Sequence, residues 1–218
     1  GAGISAASGI PTFRGAADSL WHDYRPEELA TPEAFARDPE LVWRWYDWRR
    51  GLIAGARPNA AHRALVDLAE SVADVVVVTQ NVDGLHAAAG SRQVIEFHGS
   101  IWRLHCLDCG AEREDHRHPL PIPPRCAGCG GLLRPGVVWF GEAIDPANLA
   151  AADAAARRCD LFLVIGTSGV VYPAAGLAGT ARASGAHVLE FNLERGAGRG
   201  AGLFVPGDAA QTLPLLVP

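Results

Sequence analysis

Apolar runs separated by helix-initiating signals set the first expectation for this chain. Residues 75–79, 161–166 and 187–192 are rich in aliphatic and β-branched side chains, the pattern of strands buried on both faces of a parallel sheet. Thr31-Pro32-Glu33 and Asp38-Pro39-Glu40 each place a capping side chain before a proline at the first helical position, so a helix is predicted to start at each. Asp145-Pro146 repeats the signal before an alanine-rich stretch reaching Arg158, and Asp208 is placed to cap a last helix. Strands alternating with helices predict an α/β fold, a Rossmann-like doubly wound parallel sheet. Residues 106–133 break the pattern, being rich in Pro, Gly, Cys and charge. They read as a small metal-held insertion. The expected organisation is a single unit with a large sheet domain over residues 1–28, 72–104 and 135–218, a helical part of a small domain over 29–71, and a metal module over 105–134.

Composition narrows the classes. A chain of 218 residues with 49% hydrophobic content supports one substantial domain with a small inserted module. The 19 basic residues are scattered and outnumbered by 24 acidic ones, which disfavours direct nucleic-acid binding. No apolar run approaches the roughly 18 residues that span a bilayer, so no membrane association is expected. Four of the five cysteines fall into Cys-x-x-Cys pairs and Cys159 stands alone, unlike a secreted disulfide framework. A cytoplasmic location is expected, with Cys159 a buried free thiol.

Cys106-x-x-Cys109 and Cys126-x-x-Cys129 have the spacing of a structural tetrathiolate zinc site, whose closed shell leaves no position for chemistry. Redox Cys-x-x-Cys motifs and a nucleic-acid-reading ribbon are the alternatives. Gly1-Ala2-Gly3-Ile4-Ser5 would let backbone N–H groups approach a pyrophosphate. A loop of this kind follows a β-strand, so residues upstream of Gly1 are expected to belong to the protein. Gly166-Thr167-Ser168, Asn192-Leu193-Glu194 and Gln80-Asn81-Val82-Asp83 each follow a predicted strand, where ligands sit in an open parallel sheet. Ordinary turn chemistry would also account for them. His98 is either a catalyst or a satisfied structural histidine. Residues 137–142, Val-Val-Trp-Phe-Gly-Glu, are either a buried edge strand or a segment that adds to a substrate peptide. Tyr46 and Arg49 lie three apart and share a helix face, amid the aromatic stripe Trp43, Trp45 and Trp48.

Taken together, Gly1-Ala2-Gly3-Ile4-Ser5, Ile10-Pro11-Thr12-Phe13-Arg14-Gly15, Gln80-Asn81-Val82-Asp83-Gly84-Leu85-His86, Glu96-Phe97-His98-Gly99 and the two cysteine pairs resemble the sirtuins, NAD-dependent protein-lysine deacylases, almost from end to end. The resemblance implies NAD as co-substrate and a structural Zn2+. It implies that the loop through Thr12 binds NAD, with Phe13 shielding the nicotinamide ribose and Arg14 helping to hold the cofactor. Gly166, Thr167, Ser168, Asn192, Leu193 and Glu194 would bind the adenosine half, with Ala210 near the adenine. Asn81 and Asp83, with Gln80 and Val82 beside them, would fix the nicotinamide and ribose. His98 would accept a proton from a ribose hydroxyl, and the products would be nicotinamide, O-acyl-ADP-ribose and free lysine. Val138, Trp139, Phe140 and Gly141 would line the acyl-lysine channel.

Tyr46-x-x-Arg49 resembles the sirtuin branch that removes succinyl and malonyl groups, and Ala30 matches a small residue that widens the acyl pocket there. Acyl-lysine proteins are the implied partners, and a monomer is expected. Two positions depart from the family: Ala7 where a Glu is common, and Gly169 where a bulkier apolar residue is common. A mono-ADP-ribosyltransferase and a non-catalytic zinc-ribbon module are the rival functions.

Overall fold

The computed structural model describes residues 1–12, 26–196 and 202–217. Its helices are α1 (Gly3–Ala6), α2 (Pro26–Leu29), α3 (Pro32–Arg37), α4 (Pro39–Gly55), α5 (Ala60–Ser71), α6 (Leu85–Ala89), α7 (Pro146–Arg158), α8 (Leu177–Ala183) and α9 (Ala209–Thr212). Its strands are β1 (Val77–Thr79), β2 (Val94–Glu96), β3 (Gly99–Cys106), β4 (Glu112–Glu114), β5 (Leu133–Val137), β6 (Leu161–Ile165), β7 (His187–Asn192) and β8 (Leu203–Pro206).

Helix starts follow from local chemistry. Thr31 Oγ1 accepts from the Ala34 N–H at 3.1 Å and Asp38 Oδ1 from the Leu41 N–H at 2.9 Å, each satisfying an amide that a helix leaves without an internal partner. Asp145 caps α7 and Asp208 caps α9 in the same way. The cap of α5 is Asn59, whose Oδ1 accepts from the Ala61 N–H while its own N–H donates to His62 Nδ1, a reciprocal arrangement like a capping box.

The strands form a parallel pair β1-β2, a parallel sheet β6-β7-β8 and an antiparallel sheet β4-β3-β5. The α/β architecture with parallel strands is as expected, but the strands are not buried on both faces. Leu161 is exposed and the rest of β6 is half-buried. Among the described residues β1 and β6 are not paired with each other, and both line a slot of about 580 Å³. Gly1 also lines this slot, its backbone nitrogen 2.7 Å from the Ile165 carbonyl oxygen. Cys159 also lines the slot and is half-buried, its thiol donating to the Ala156 carbonyl. The expectation of a fully buried thiol is thereby corrected.

Three apolar clusters hold the molecule. α3, α4, β3, β5 and Trp139 share the largest one, where Trp43 and Trp45 are buried. Most of the aromatic stripe on α4 is therefore core. A second cluster joins Ile4, α5, β7 and α9, and a third joins Phe97, α7 and α8.

Candidate active site

The N-terminal loop is seated against the loop after β6. The Gly3 N–H donates to the Gly166 carbonyl at 2.9 Å, and a Cβ at Gly3 would stand 2.8 Å from the Gly166 Cα. A Cβ at Gly166, where φ is +55°, would stand 2.5 Å from the Ile4 nitrogen. Neither position admits a larger residue, because two backbones touch there. From the other side Asn81 Nδ2 donates to the Gly1 carbonyl and to Ser5 Oγ, and the Ser5 hydroxyl donates to Asp83 Oδ2 at 2.7 Å. Asp83 Oδ1 accepts from the Leu85 N–H, and Trp102 Nε1 donates to the Asp83 carbonyl. The loop of residues 1–5 and the Gln80–Asp83 segment therefore form one hydrogen-bonded unit.

Gln80 Nε2 donates to Thr167 Oγ1 at 3.4 Å, and Asn192 Nδ2 donates to the Thr167 carbonyl at 2.7 Å. The ends of β1, β6 and β7 thus meet, with Leu193 and Glu194 exposed beyond them. Ala210 lies on α9, which packs on α1. Its N–H donates to Asp208, and its side chain packs half-buried against the apolar cluster that includes Ile4. Thr12 is exposed; Phe13 and Arg14 lie outside the described residues. The glycine contacts, the Ser5–Asp83 pair and the polar ends of three strands suit an elongated polar ligand such as NAD.

His98 sits between the two loops. Its Nδ1 is 3.1 Å from the Gln80 carbonyl. A carbonyl oxygen only accepts, so in the neutral ring Nδ1 carries the proton and Nε2 presents a lone pair. Burial holds the His98 pKa below the usual imidazole value, partly offset by the Gln80 hydrogen bond. The ring is accordingly in its base form at neutral pH. Its carbonyl accepts from the Val138 N–H at 2.9 Å, which ties His98 to the segment leaving β5.

That segment runs on beyond β5 without regular pairing. Trp139 is buried, Phe140 is 40% exposed and Gly141 has a positive φ. The Phe140 N–H donates to the carbonyl of Ala30, which is itself buried. Tyr46 Oη accepts from Trp139 Nε1 at 2.9 Å, and burial pushes the Tyr46 pKa up to about 12. Arg49 lies over the rings of Trp45 and Tyr46, at 4.9 and 5.8 Å from their centroids. Burial lowers its pKa, opposed by the nearby Tyr46 and Asp83. Ala30, Tyr46, Arg49, Trp139 and Phe140 are thus brought together, with Val138 fastened to His98.

The sulfur atoms of Cys106, Cys109, Cys126 and Cys129 all lie within 4.8 Å of one another. Backbone N–H groups of Cys129 and Gly128 draw the Cys126 thiol down to about 7. At Cys129 the Gly131 N–H favours the thiolate, but the neighbouring sulfurs outweigh it and push the thiol up to about 12. Four sulfurs this close need a cation to be anionic together, and soft thiolates at this spacing fit zinc.

Some contributors lie outside the motifs. His62 and the motif residue His86 are buried with their rings 4.9 Å apart, and burial lowers both pKa values, that of His86 to about 3. Asn59 Nδ2 donates to the Ile4 carbonyl and to Ser8 Oγ, fastening α5 to the N-terminal loop. Pro58-Asn59-x-x-His62 was a readable capping signal; its second task was not readable, because its partners lie 51 and 55 residues away. Arg134 was missed for the same reason, as its environment comes from the far side of a loop.

A family model described as "Sir2 family" matches residues 1–173. An NAD-dependent protein deacylase of Aquifex aeolicus is 58% identical over 195 residues, covering 89% of this chain and 81% of that protein. The crystal structure of a Sir2 homologue–NAD complex superposes with a TM-score of 0.94 at 46% identity, covering 99% of this chain and 85% of that one. A variant Sir2 homologue bound to 2′-O-acetyl ADP-ribose gives a TM-score of 0.93 at 47% identity, covering 100% of this chain and 88% of that one. A match over most of the length and a shared fold at this identity leave one conclusion: the chain belongs to the Sir2 family.

Proposed function

We infer that this chain is an NAD-dependent protein deacylase that removes acyl groups from lysine side chains of protein substrates and releases nicotinamide, O-acyl-ADP-ribose and free lysine. The observation that carries the chemistry is the orientation of His98: with Nδ1 committed to the Gln80 carbonyl, Nε2 is the basic atom. NAD supplies the electrophilic anomeric carbon and the nicotinamide leaving group. Asn81 and Asp83, cross-linked to the N-terminal loop through Ser5, hold the nicotinamide and ribose end in place. Gly166, Thr167, Ser168 and Asn192 take the adenosine end with Leu193, Glu194 and Ala210, and His98 Nε2 takes the ribose hydroxyl proton. Holding the acyl oxygen against one carbon makes the attack effectively unimolecular.

Val138, Trp139, Phe140 and Gly141 line the acyl-lysine channel. Because Val138 hangs on the His98 carbonyl, substrate backbone and base share one frame. The four cysteines hold structural zinc.

The acyl preference is for succinyl and malonyl over acetyl. Supporting it are Arg49 beside Tyr46, and the Tyr46 hydroxyl, which accepts from Trp139 and so has its own hydrogen to donate to a carboxylate. We propose that the chain works as a monomer. A reducing cytoplasm suits its free thiols. Among the described residues no helix is long and apolar enough to cross a membrane.

Matched acetyl-, malonyl- and succinyl-lysine peptides incubated with NAD and followed by mass spectrometry test these statements together. Free lysine with O-acyl-ADP-ribose is the expected outcome, and ADP-ribose attached to an acceptor would overturn it. Equal rates on the three peptides would overturn the acyl preference alone.

A further inference from the structure

The loop that follows β5 is built around an ion pair that the deacylation chemistry does not use. Arg134 and Glu142 face each other as a fork, with Nη1 to Oε1 at 2.5 Å and Nη2 to Oε2 at 2.9 Å. Their side chains are only 15% and 24% exposed. The pair also gathers the loop backbone: Arg134 Nη2 donates to the Val137 carbonyl at 2.9 Å, and Glu142 Oε2 accepts from the Trp139 N–H at 2.8 Å. The guanidinium lies over the Trp139 indole, its Cζ 3.6 Å from the ring centroid. At the edge of that ring Trp139 Nε1 donates to Tyr46 Oη. A largely buried ion pair contributes little net stability compared with apolar residues of the same shape, so placing something is the better account of it. What it places is the indole.

We infer that Arg134 and Glu142 are positioning residues for acyl selectivity, acting through Trp139 on the Tyr46 hydroxyl. The inference rests on the reading of Tyr46 and Arg49 as the acyl-carboxylate site. Stacking fixes the plane of the indole, and the hydrogen bond to Tyr46 fixes which edge faces α4. The donated indole hydrogen occupies one lone pair of Tyr46 Oη, which leaves the phenolic hydrogen to point at an incoming acceptor. A carboxylate at the end of a succinyl chain uses that hydrogen; an acetyl methyl does not. Loosening the ion pair lets the indole turn, Tyr46 loses its orienting donor, and succinyl-lysine loses more than acetyl-lysine does.

The test is the ratio of kcat/KM for succinyl- and acetyl-lysine peptides in wild type, Glu142→Gln, Trp139→Phe, Tyr46→Phe, Arg49→Met and the double variant Glu142→Gln/Tyr46→Phe. Calorimetric binding of the succinyl peptide and of NAD accompanies it. Glu142→Gln keeps the shape and an acceptor for the Trp139 N–H; Trp139→Phe keeps a ring for Arg134 and removes the indole N–H together with the second ring. Each should lower the succinyl-to-acetyl ratio at least about fivefold, weaken succinyl-peptide binding and leave NAD binding unchanged. In the Tyr46→Phe background Glu142→Gln should lower the ratio no further, the signature of residues acting in series. A wild-type preference that falls in Tyr46→Phe but stands in both Glu142→Gln and Trp139→Phe overturns the inference while leaving the acyl site in place. Equal losses on both peptides in Glu142→Gln overturn it too. A wild type without preference, in which Arg49→Met and Tyr46→Phe also separate nothing, overturns the acyl site and this inference together.

Discussion

The two sides of the candidate cleft are fastened by different means. On the zinc side large and charged groups are locked into the interior. Arg50 is fully buried and donates to the carbonyls of Ile101, Asp115 and Arg117 while lying over Trp102, and Trp43 Nε1 donates to the Leu133 carbonyl at 2.7 Å. A buried guanidinium is tolerated only with such partners, so α4, β3 and the loop before Pro119 move as one. On the NAD side the fasteners are small: Ser5 to Asp83, Asn81 to Gly1 and Ser5, Asn59 to Ile4. One side therefore fails only when its fold fails, while the other is adjustable one hydrogen bond at a time.

Metal removal breaks the comparison most severely. Structural zinc in small domains contributes roughly 10–16 kcal/mol of apparent binding energy, comparable with the whole stability of a typical domain, about 5–15 kcal/mol. Freshly purified protein should carry one zinc per chain, and Cys106→Ala should unfold the module around residues 105–134 and abolish activity. Metal analysis and limited proteolysis check both points. Active, protease-resistant protein without zinc would place the rigidity elsewhere, in Arg50 first.

His98 joins the two sides, and His98→Ala should lower turnover by roughly 10² to 10⁴ with NAD binding by calorimetry nearly unchanged. Burial lowers its pKa, so the base form persists below the usual value of about 6.5. Activity should hold as the pH is lowered past that value and fall only through the depressed pKa. An acid limb of kcat/KM centred above about 6.5 would mean that burial does not set the His98 pKa in the free enzyme.

Arg49→Met tests the rigid side at its ligand end. A hydrogen bond to a charged group is worth about 1.5–3 kcal/mol, so kcat/KM for succinyl-lysine should fall at least about tenfold while acetyl-lysine is spared. Equal loss on both peptides would make Arg49 a core residue of α4.

The same contrast governs what the sequence could disclose. Helix starts at Pro32, Pro39 and Pro146 were legible because a cap and its proline are neighbours. The zinc site was legible because two short pairs carry it, whereas His98, Asn81 and Asp83 stood out only through the resemblance to the sirtuins, since by themselves they also read as a structural histidine and turn residues. The link between Asn59 and the N-terminal loop was not legible, since Asn59 and Ile4 lie 55 residues apart and nothing local joins them. Nor was the Arg134–Glu142 fork, which depends on a chain reversal eight residues long.

The smallest effect should come from Asn59, and it isolates the adjustable side. Its Oδ1 caps α5 through the Ala61 N–H, and its Nδ2 donates to the Ile4 carbonyl and Ser8 Oγ. Asn59→Asp keeps the capping oxygen, which suits a helix start, and replaces the donor facing Ile4 with an acceptor. One neutral hydrogen bond at about 0.5–1.5 kcal/mol corresponds to roughly two- to tenfold in affinity. NAD should therefore bind Asn59→Asp a few-fold more weakly, with thermal stability near wild type and acyl-peptide binding unchanged. Asn59→Ala, which removes the cap as well, should lose the same NAD affinity and also melt earlier. If Asn59→Asp binds NAD like wild type, α5 is not what seats the N-terminal loop, and the contacts to Gly166 and Ser5 carry that task alone.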